Sequence, residues 1–226
     1  MKIGILQTGH APDQLRPALG DYDALFRQLL AGQNFSFATY NVVDDVFPPG
    51  PAACDGWLIT GSKHGAYEDH AWIPPLEELI RAINDAGRPL VGICFGHQII
   101  AQALGGRVEK FAGGWIVGRQ TYDWQGEALP LNAWHQDQVV ELPPGAEVLA
   151  ENDTCAHAAL RIGAEILTLQ AHPEFDHDMI AGLIEHRGDR VPDDRLEAAR
   201  AGLGRPVANG HVARWIGDFL RDRVPA

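Results

Sequence analysis

At 226 residues the chain is long enough to bury one large core, and 46% hydrophobic with 21% charged residues is the composition of a globular protein. A formal net charge of −12, with no long run of one sign, excludes the basic footprint that nucleic acid or an anionic membrane surface demands. Three cysteines without a C-x-x-C spacing (Cys54, Cys94 and Cys155) exclude a disulfide framework and a four-cysteine zinc site.

Lys2 to Gln7 reads as a buried first strand, too short and too soon broken by Gln7 to be a signal peptide. Thr8 to Pro17 reads as a polar loop, and Tyr22 to Leu30 carries apolar residues at helical spacing, ending near Gly32. Phe35 to Val43 is expected as the second strand and Gly56 to Thr60 as the third, entering the loop Gly61-Ser62-Lys63-His64-Gly65. Leu76 to Ala86 is a helix closed by Gly87, and Leu90 to Ile93 the fourth strand. Strands alternating with helices in this rhythm imply βαβ units and a parallel sheet, whose ligands bind beyond the carboxyl ends of the strands. From Gly105 to Gln170 the pattern changes to short strand-like runs: Trp115–Tyr122, Val139–Leu142, Glu147–Ala150, Ala158–Ile162 and Glu165–Gln170. Helices then return around Leu183-Ile184, over Arg195–Ala201 and over Val212–Leu220. No apolar run approaches the roughly 18 residues of a membrane span, so with the cysteine usage a reducing cytosol is the expectation, and the spread acidic charge points to small-molecule substrates.

The apolar run before Cys94 and the helical run after it frame the segment Gly92-Ile93-Cys94-Phe95-Gly96-His97. This is a G-x-nucleophile-x-G elbow with Cys where hydrolases carry Ser; the glycines let the backbone double back. A thiol at such a corner sits over a helix N-terminus, which favours thiolate. A buried cysteine between two packing glycines would have the same spelling. A thiolate nucleophile needs a base and a group to orient it, and His172-Pro173-Glu174 at a strand end supplies both. Alternation along an extended segment would point His172 and Glu174 the same way. Read alone, the three residues fit equally well a histidine bonded within its loop and a glutamate capping the next helix.

Gly92–Gln98 together with Gln170–Phe175 resembles the triad-type class I glutamine amidotransferases, most closely the glutaminase domain of GMP synthase and its stand-alone relatives. The resemblance runs through nearly the whole chain and implies one domain over residues 1–226. Its implied fold is an α/β, flavodoxin-like three-layer αβα sandwich with a central mostly parallel sheet and a small antiparallel extension. It implies hydrolysis of the γ-amide of glutamine through a γ-glutamyl thioester, with no cofactor and no metal. Carried over by position, Cys94 is the nucleophile, His172 the general base and acid, and Glu174 the residue that orients His172. Backbone N–H groups of Gly61 and Phe95 correspond to the oxyanion hole, and Gln98, Trp134 and His135 to the substrate-binding positions. Thr60-Gly61-Ser62 stands where the family often has Gly-Gly-Pro, and Trp134 stands where it commonly has Ser.

The chain has no glycine-rich phosphate loop and no length for a synthetase domain, so if it delivers ammonia, the acceptor chemistry lies on a separate synthetase subunit. Two other functions fit the residues: a γ-glutamyl peptidase acting on γ-glutamyl conjugates, and a binding or regulatory subunit that keeps the fold without catalysis. A metal reading of His172, Glu174, His177 and Asp178 lacks a recognised ligand spacing. Tyr67 to Trp72 reads either as a wall over the site or as an aromatic cap on the next helix.

Overall fold

The computed structural model describes residues 1–223; the last three residues of the expected 1–226 domain lie outside it. The strands are β1 (Lys2–Leu6), β2 (Ser36–Tyr40), β3 (Gly56–Ile59), β4 (Leu90–Ile93), β5 (Arg107–Lys110), β6 (Ile116–Trp124), β7 (Glu127–His135), β8 (Asp137–Glu141), β9 (Ala146–Asn152), β10 (Cys155–Ile162) and β11 (Ile166–Leu169). The helices are α1 (Arg16–Leu19), α2 (Tyr22–Leu29), α3 (Ile73–Asp85), α4 (Phe95–Ala103), α5 (His177–Arg187), α6 (Asp193–Gly202) and α7 (Asn209–Asp222). None of them is long and apolar enough to cross a membrane.

One nine-stranded sheet runs in the order β2-β1-β3-β4-β11-β10-β9-β6-β7, and β5 pairs with β8 as a separate ribbon. The pairings from β2 through β1, β3 and β4 to β11 are parallel. Those from β11 outward through β10, β9, β6 and β7 are antiparallel. Strands β3, β4 and β11 are buried at every position, as continuous apolar runs in a doubly covered sheet must be. On one face Ile3, Ile5, Val91 and Ile93 pack with Phe26 and Leu30 and with Val212 and Ile216 of α7. On the other, Leu6, Trp57, Ile59 and Leu90 pack with Leu76 and Ile80 of α3 and Ile99 and Ile100 of α4. These are the three layers the sequence led one to expect, with an antiparallel part of four strands.

Local chemistry sets the helix starts. Asp21 accepts the Tyr22 N–H at the head of α2, and Asp176 accepts the Met179 N–H (2.9 Å) at the head of α5. The pre-formed φ of proline opens α3, which begins at Ile73, three residues before the apolar periodicity becomes visible. The polar stretch from Thr8 also holds the short α1. Strands β5 and β7 lie in segments that carried no strand signal strong enough to single out.

The registers align the carboxyl ends that matter: Ile59 lies opposite Gly92, and Leu169 opposite Ile93. Thr60-Gly61, Cys94 and Gln170–His172 therefore leave the sheet side by side at the one edge where such folds bind ligands.

Candidate active site

Cys94 occupies the single-residue corner between β4 and α4, at φ 54° and ψ −102°. An L residue holds such a conformation only where its surroundings over-determine it, and this kind of strain concentrates at functional sites. The surroundings are visible. Cys94 N–H donates to Leu169 O (2.8 Å), Gly96 N–H to Thr60 O (3.1 Å) and Gln98 N–H to Cys94 O (3.1 Å). A Cβ on Gly96 would sit 2.4 Å from Ile59 O, and one on Gly92 would sit 2.6 Å from the Gly96 backbone. Both glycines answer a need for close approach between backbones, as the elbow reading expected.

His172 and Glu174 do converge, by a route that differs from simple alternation. The chain leaves β11 at Leu169 and turns, with Phe175 N–H donating to His172 O (3.3 Å), so the pair sits on a turn stiffened by Pro173. His172 Nδ1 lies 2.7 Å from Glu174 Oε1, both side chains almost wholly buried. With Nδ1–H donating to the carboxylate, Nε2 remains for the sulfur. The imidazole lies flat on Phe175, ring centroids 3.9 Å apart and planes at 3°. It also lies against Gly61, where a Cβ would stand 2.9 Å from His172 Cε1 and 3.7 Å from Cys94 Cβ. Any larger residue at position 61 would push the ring away from the cysteine.

Burial by itself would pull the His172 imidazole down; the Glu174 carboxylate and then Cys94 overcome it and push it up to about 10. Between its ordinary 6.5 and that value the folded chain holds a proton that the unfolded chain releases. The stabilisation from this group is therefore fully present below pH 6.5 and is lost as pH rises through about 10. In Cys94→Ala, where the Glu174 carboxylate remains, NMR is expected to find the His172 imidazole titrating above 6.5. A midpoint at or below that value would mean that burial outweighs Glu174.

The other predicted residues fall around this centre. Gly61 follows β3, its carbonyl accepting from the Thr60 hydroxyl (3.0 Å), which in turn accepts the Thr8 N–H (3.1 Å). Phe95 is the first residue of α4, so its N–H is among the donors that a helix start leaves without an intrahelical partner. Gln98, one turn on, spends its amide protons on Asp137 O (2.8 Å) and Gln170 Oε1 (3.1 Å), and so braces the ribbon against the elbow. Trp134 and His135 are neighbours at the end of β7, where alternation sends them to opposite faces. Trp134 packs against Trp115 (6.5 Å) in the apolar cluster that includes Phe175. His135 is buried, with Nδ1 3.2 Å from Asp137 O; burial pulls it down to about 3, and the charge of His172 adds to that. His97 is a core residue, bonded through Nδ1 to Thr168 Oγ1 (2.8 Å).

Sequence reasoning missed the supports. Asn132 O accepts the His172 N–H (2.8 Å) and Asn132 Nδ2 donates to Phe175 O (2.9 Å), while Asn209 Nδ2 donates to the same carbonyl (3.0 Å). An asparagine inside a strand and another at the start of a helix carry no local mark of this duty.

A mostly parallel central sheet with a strained cysteine corner beside an ion-paired His–Glu turn is the layout of a cysteine-nucleophile α/β hydrolase. Residues 46–181 match the profile of the family described as Glutamine amidotransferase class-I, and the chain belongs to that family. It is 31% identical to gamma-glutamyl peptidase 4 of Arabidopsis thaliana over 92% of this chain and 90% of that protein. It is also 31% identical to the glutamine-hydrolysing GMP synthase of Aromatoleum aromaticum, over 66% of this chain but 34% of the synthase. A glutamine amidotransferase from Methylobacillus flagellatus, of known crystal structure, superposes with a TM-score of 0.76 over 99% of this chain and 92% of its own, at 21% identity. That likeness is one of fold.

Proposed function

We propose that the chain hydrolyses γ-glutamyl amides through a γ-glutamyl thioester on Cys94, using one domain and no cofactor. The observation that carries the reading is Cys94, strained at the end of β4, beside an imidazole already paired with Glu174. In the first half-reaction the Cys94 thiolate attacks the γ-carbonyl carbon, and the carbonyl oxygen takes the negative charge. Gly61 and Phe95 N–H groups would receive that oxyanion, each such donor contributing about 3–4 kcal/mol to the tetrahedral state. The C–N bond then breaks as His172 gives its proton to the departing amine. In the second half, water loses a proton to His172 and attacks the thioester, and glutamate leaves with the thiolate restored. Glu174 holds the ring in the tautomer that presents Nε2 and balances its charge throughout. Gln98, Trp134 and His135 shape the substrate's side of the pocket in this reading.

The similarity to gamma-glutamyl peptidase 4 over nearly the full length of both proteins favours a second reading, in which the leaving group is a larger amine than ammonia. The bond broken and the residues used are the same; only the space on the leaving-group side differs. With glutamine as substrate, the ammonia is either released or, if delivered, handed to a separate synthetase subunit. Purified protein is to be incubated in parallel with glutamine and with γ-glutamyl dipeptides, following ammonia and amino-acid release. Turnover of at least one class without any partner is the expected result, and the ratio of kcat/KM values assigns the leaving group. No turnover of either, with no labelling of Cys94 by a glutamine-like electrophile, would leave a binding subunit that keeps the fold.

A further inference from the structure

The loop between β3 and α3 gathers a group of side chains that the proposed chemistry does not use. His64, Glu68 and His70 bring one donor atom each to within 4.8 Å of one another. Glu68 Oε2 lies 2.8 Å from His70 Nε2 and 3.4 Å from His64 Nδ1, and the two imidazoles meet edge to face at 4.2 Å. All three ligand atoms thus cluster together, although the residues are spread over seven positions of a loop. The backbone holds them there: His64 N–H donates to Ser62 Oγ (3.2 Å), Glu68 N–H to Gly65 O (3.1 Å) and His70 N–H to Glu68 O (3.0 Å). Trp72 forms the floor, stacked on His70 at 5.9 Å and 11° and edge-on to His64 at 5.9 Å.

We propose that His64, Glu68 and His70 form a binding site for a divalent transition cation of borderline character, Zn²⁺ or Co²⁺. Two imidazoles and one carboxylate are a donor set suited to such ions, which bind at about 2.0–2.2 Å and keep a further position for water. Ligands at that distance stand about 3.3–3.6 Å apart around a tetrahedron; the 3.4 Å between His64 and Glu68 already falls there, and the 2.8 Å between Glu68 and His70 asks for a small opening.

The position gives the site a purpose beyond fastening a loop. The segment starts at Gly61 and ends at Trp72, whose ring packs 5.5 Å from that of Phe95, the residue after Cys94. A cation would therefore stiffen the loop that leads from Gly61, one proposed oxyanion donor, to Trp72, which packs on the ring of Phe95, the other. The binding site itself does not depend on Cys94 being catalytic, and its test is separable from that of catalysis.

The full chain, stripped with chelator, is to be titrated with Co²⁺ and with Zn²⁺ and followed by visible Co²⁺ absorption and by calorimetry. One saturable equivalent is expected. His64→Gln and His70→Gln should each weaken it more than about a hundredfold, beyond the usual cost of losing an outer-shell partner. Cys94→Ala should retain it in full. Thermal unfolding without metal checks that each variant folds. Should a histidine variant unfold, Glu68→Gln, which keeps size and an accepting oxygen, is expected to lose the cation in the same way. Absence of saturable binding overturns the site. So does binding that survives all three substitutions, or binding that disappears in Cys94→Ala.

Discussion

Replacing Cys94 by Ala is expected to lower kcat on a γ-glutamyl amide by at least about 10⁴-fold, because no thioester can form and the donors and binding contacts alone sustain little turnover. The change removes one sulfur atom from a side chain that is only 5% exposed, and every backbone bond that fixes the corner remains. Thermal unfolding should therefore find the variant folded. Mass spectrometry of wild type during turnover should find a γ-glutamyl adduct on Cys94, absent from the variant. Residual activity above about a thousandth of wild type would show that another group attacks the carbonyl.

Gly96→Ala is expected to be the most damaging conservative change to the fold itself. Its methyl group would enter at 2.4 Å from Ile59 O and 3.0 Å from Ile59 Cβ. The obstacle is the backbone of a central strand, which cannot rotate out of the way as a flexible side chain would. A loss of stability at or beyond the upper end of ordinary overpacking, about 3 kcal/mol or more, is expected from denaturant unfolding. Relief by movement of α4 would carry Cys94 away from His172, so activity should fall further than stability alone explains. A variant as stable and active as wild type would mean that the elbow has slack that the close contact denies.

The parallel half of the fold was legible because its strands are short continuous apolar runs separated by helices of clear period, and Leu90–Ile93 came out with its bounds intact. The strained corner at Cys94 was legible because its constraints are local, with glycines two residues to either side, a strand before and a helix after. The His172–Glu174 pairing was legible from their close spacing around Pro173. The antiparallel half was harder. β7 contains Pro130 and Asn132 and sits among partly buried neighbours, so its alternation is blurred, although it is nine residues long. The turn after β11 defeats a strict reading of period two, because Pro173 and the Phe175 N–H bond bend the chain just where the pattern was being extended. His64, Glu68 and His70 look like ordinary polar loop residues until the turns at Gly65 and Glu68 fold them back on one another.

The two halves of the machinery differ in how much of the polypeptide each one needs. The sulfur corner is assembled from β3, β4, the start of α4 and the end of β11, where Leu169 O accepts the Cys94 N–H. The perch of the imidazole is borrowed: the Phe175 carbonyl is fastened by Asn132 from 43 positions earlier and by Asn209 from 34 positions later. A chain interrupted before α7 would own a thiol at its bend but lack one of the two amides that pin the ring's stacking partner. On the proposed reading, the seat of His172 beside Cys94 thus depends on α7 as well as on the sheet.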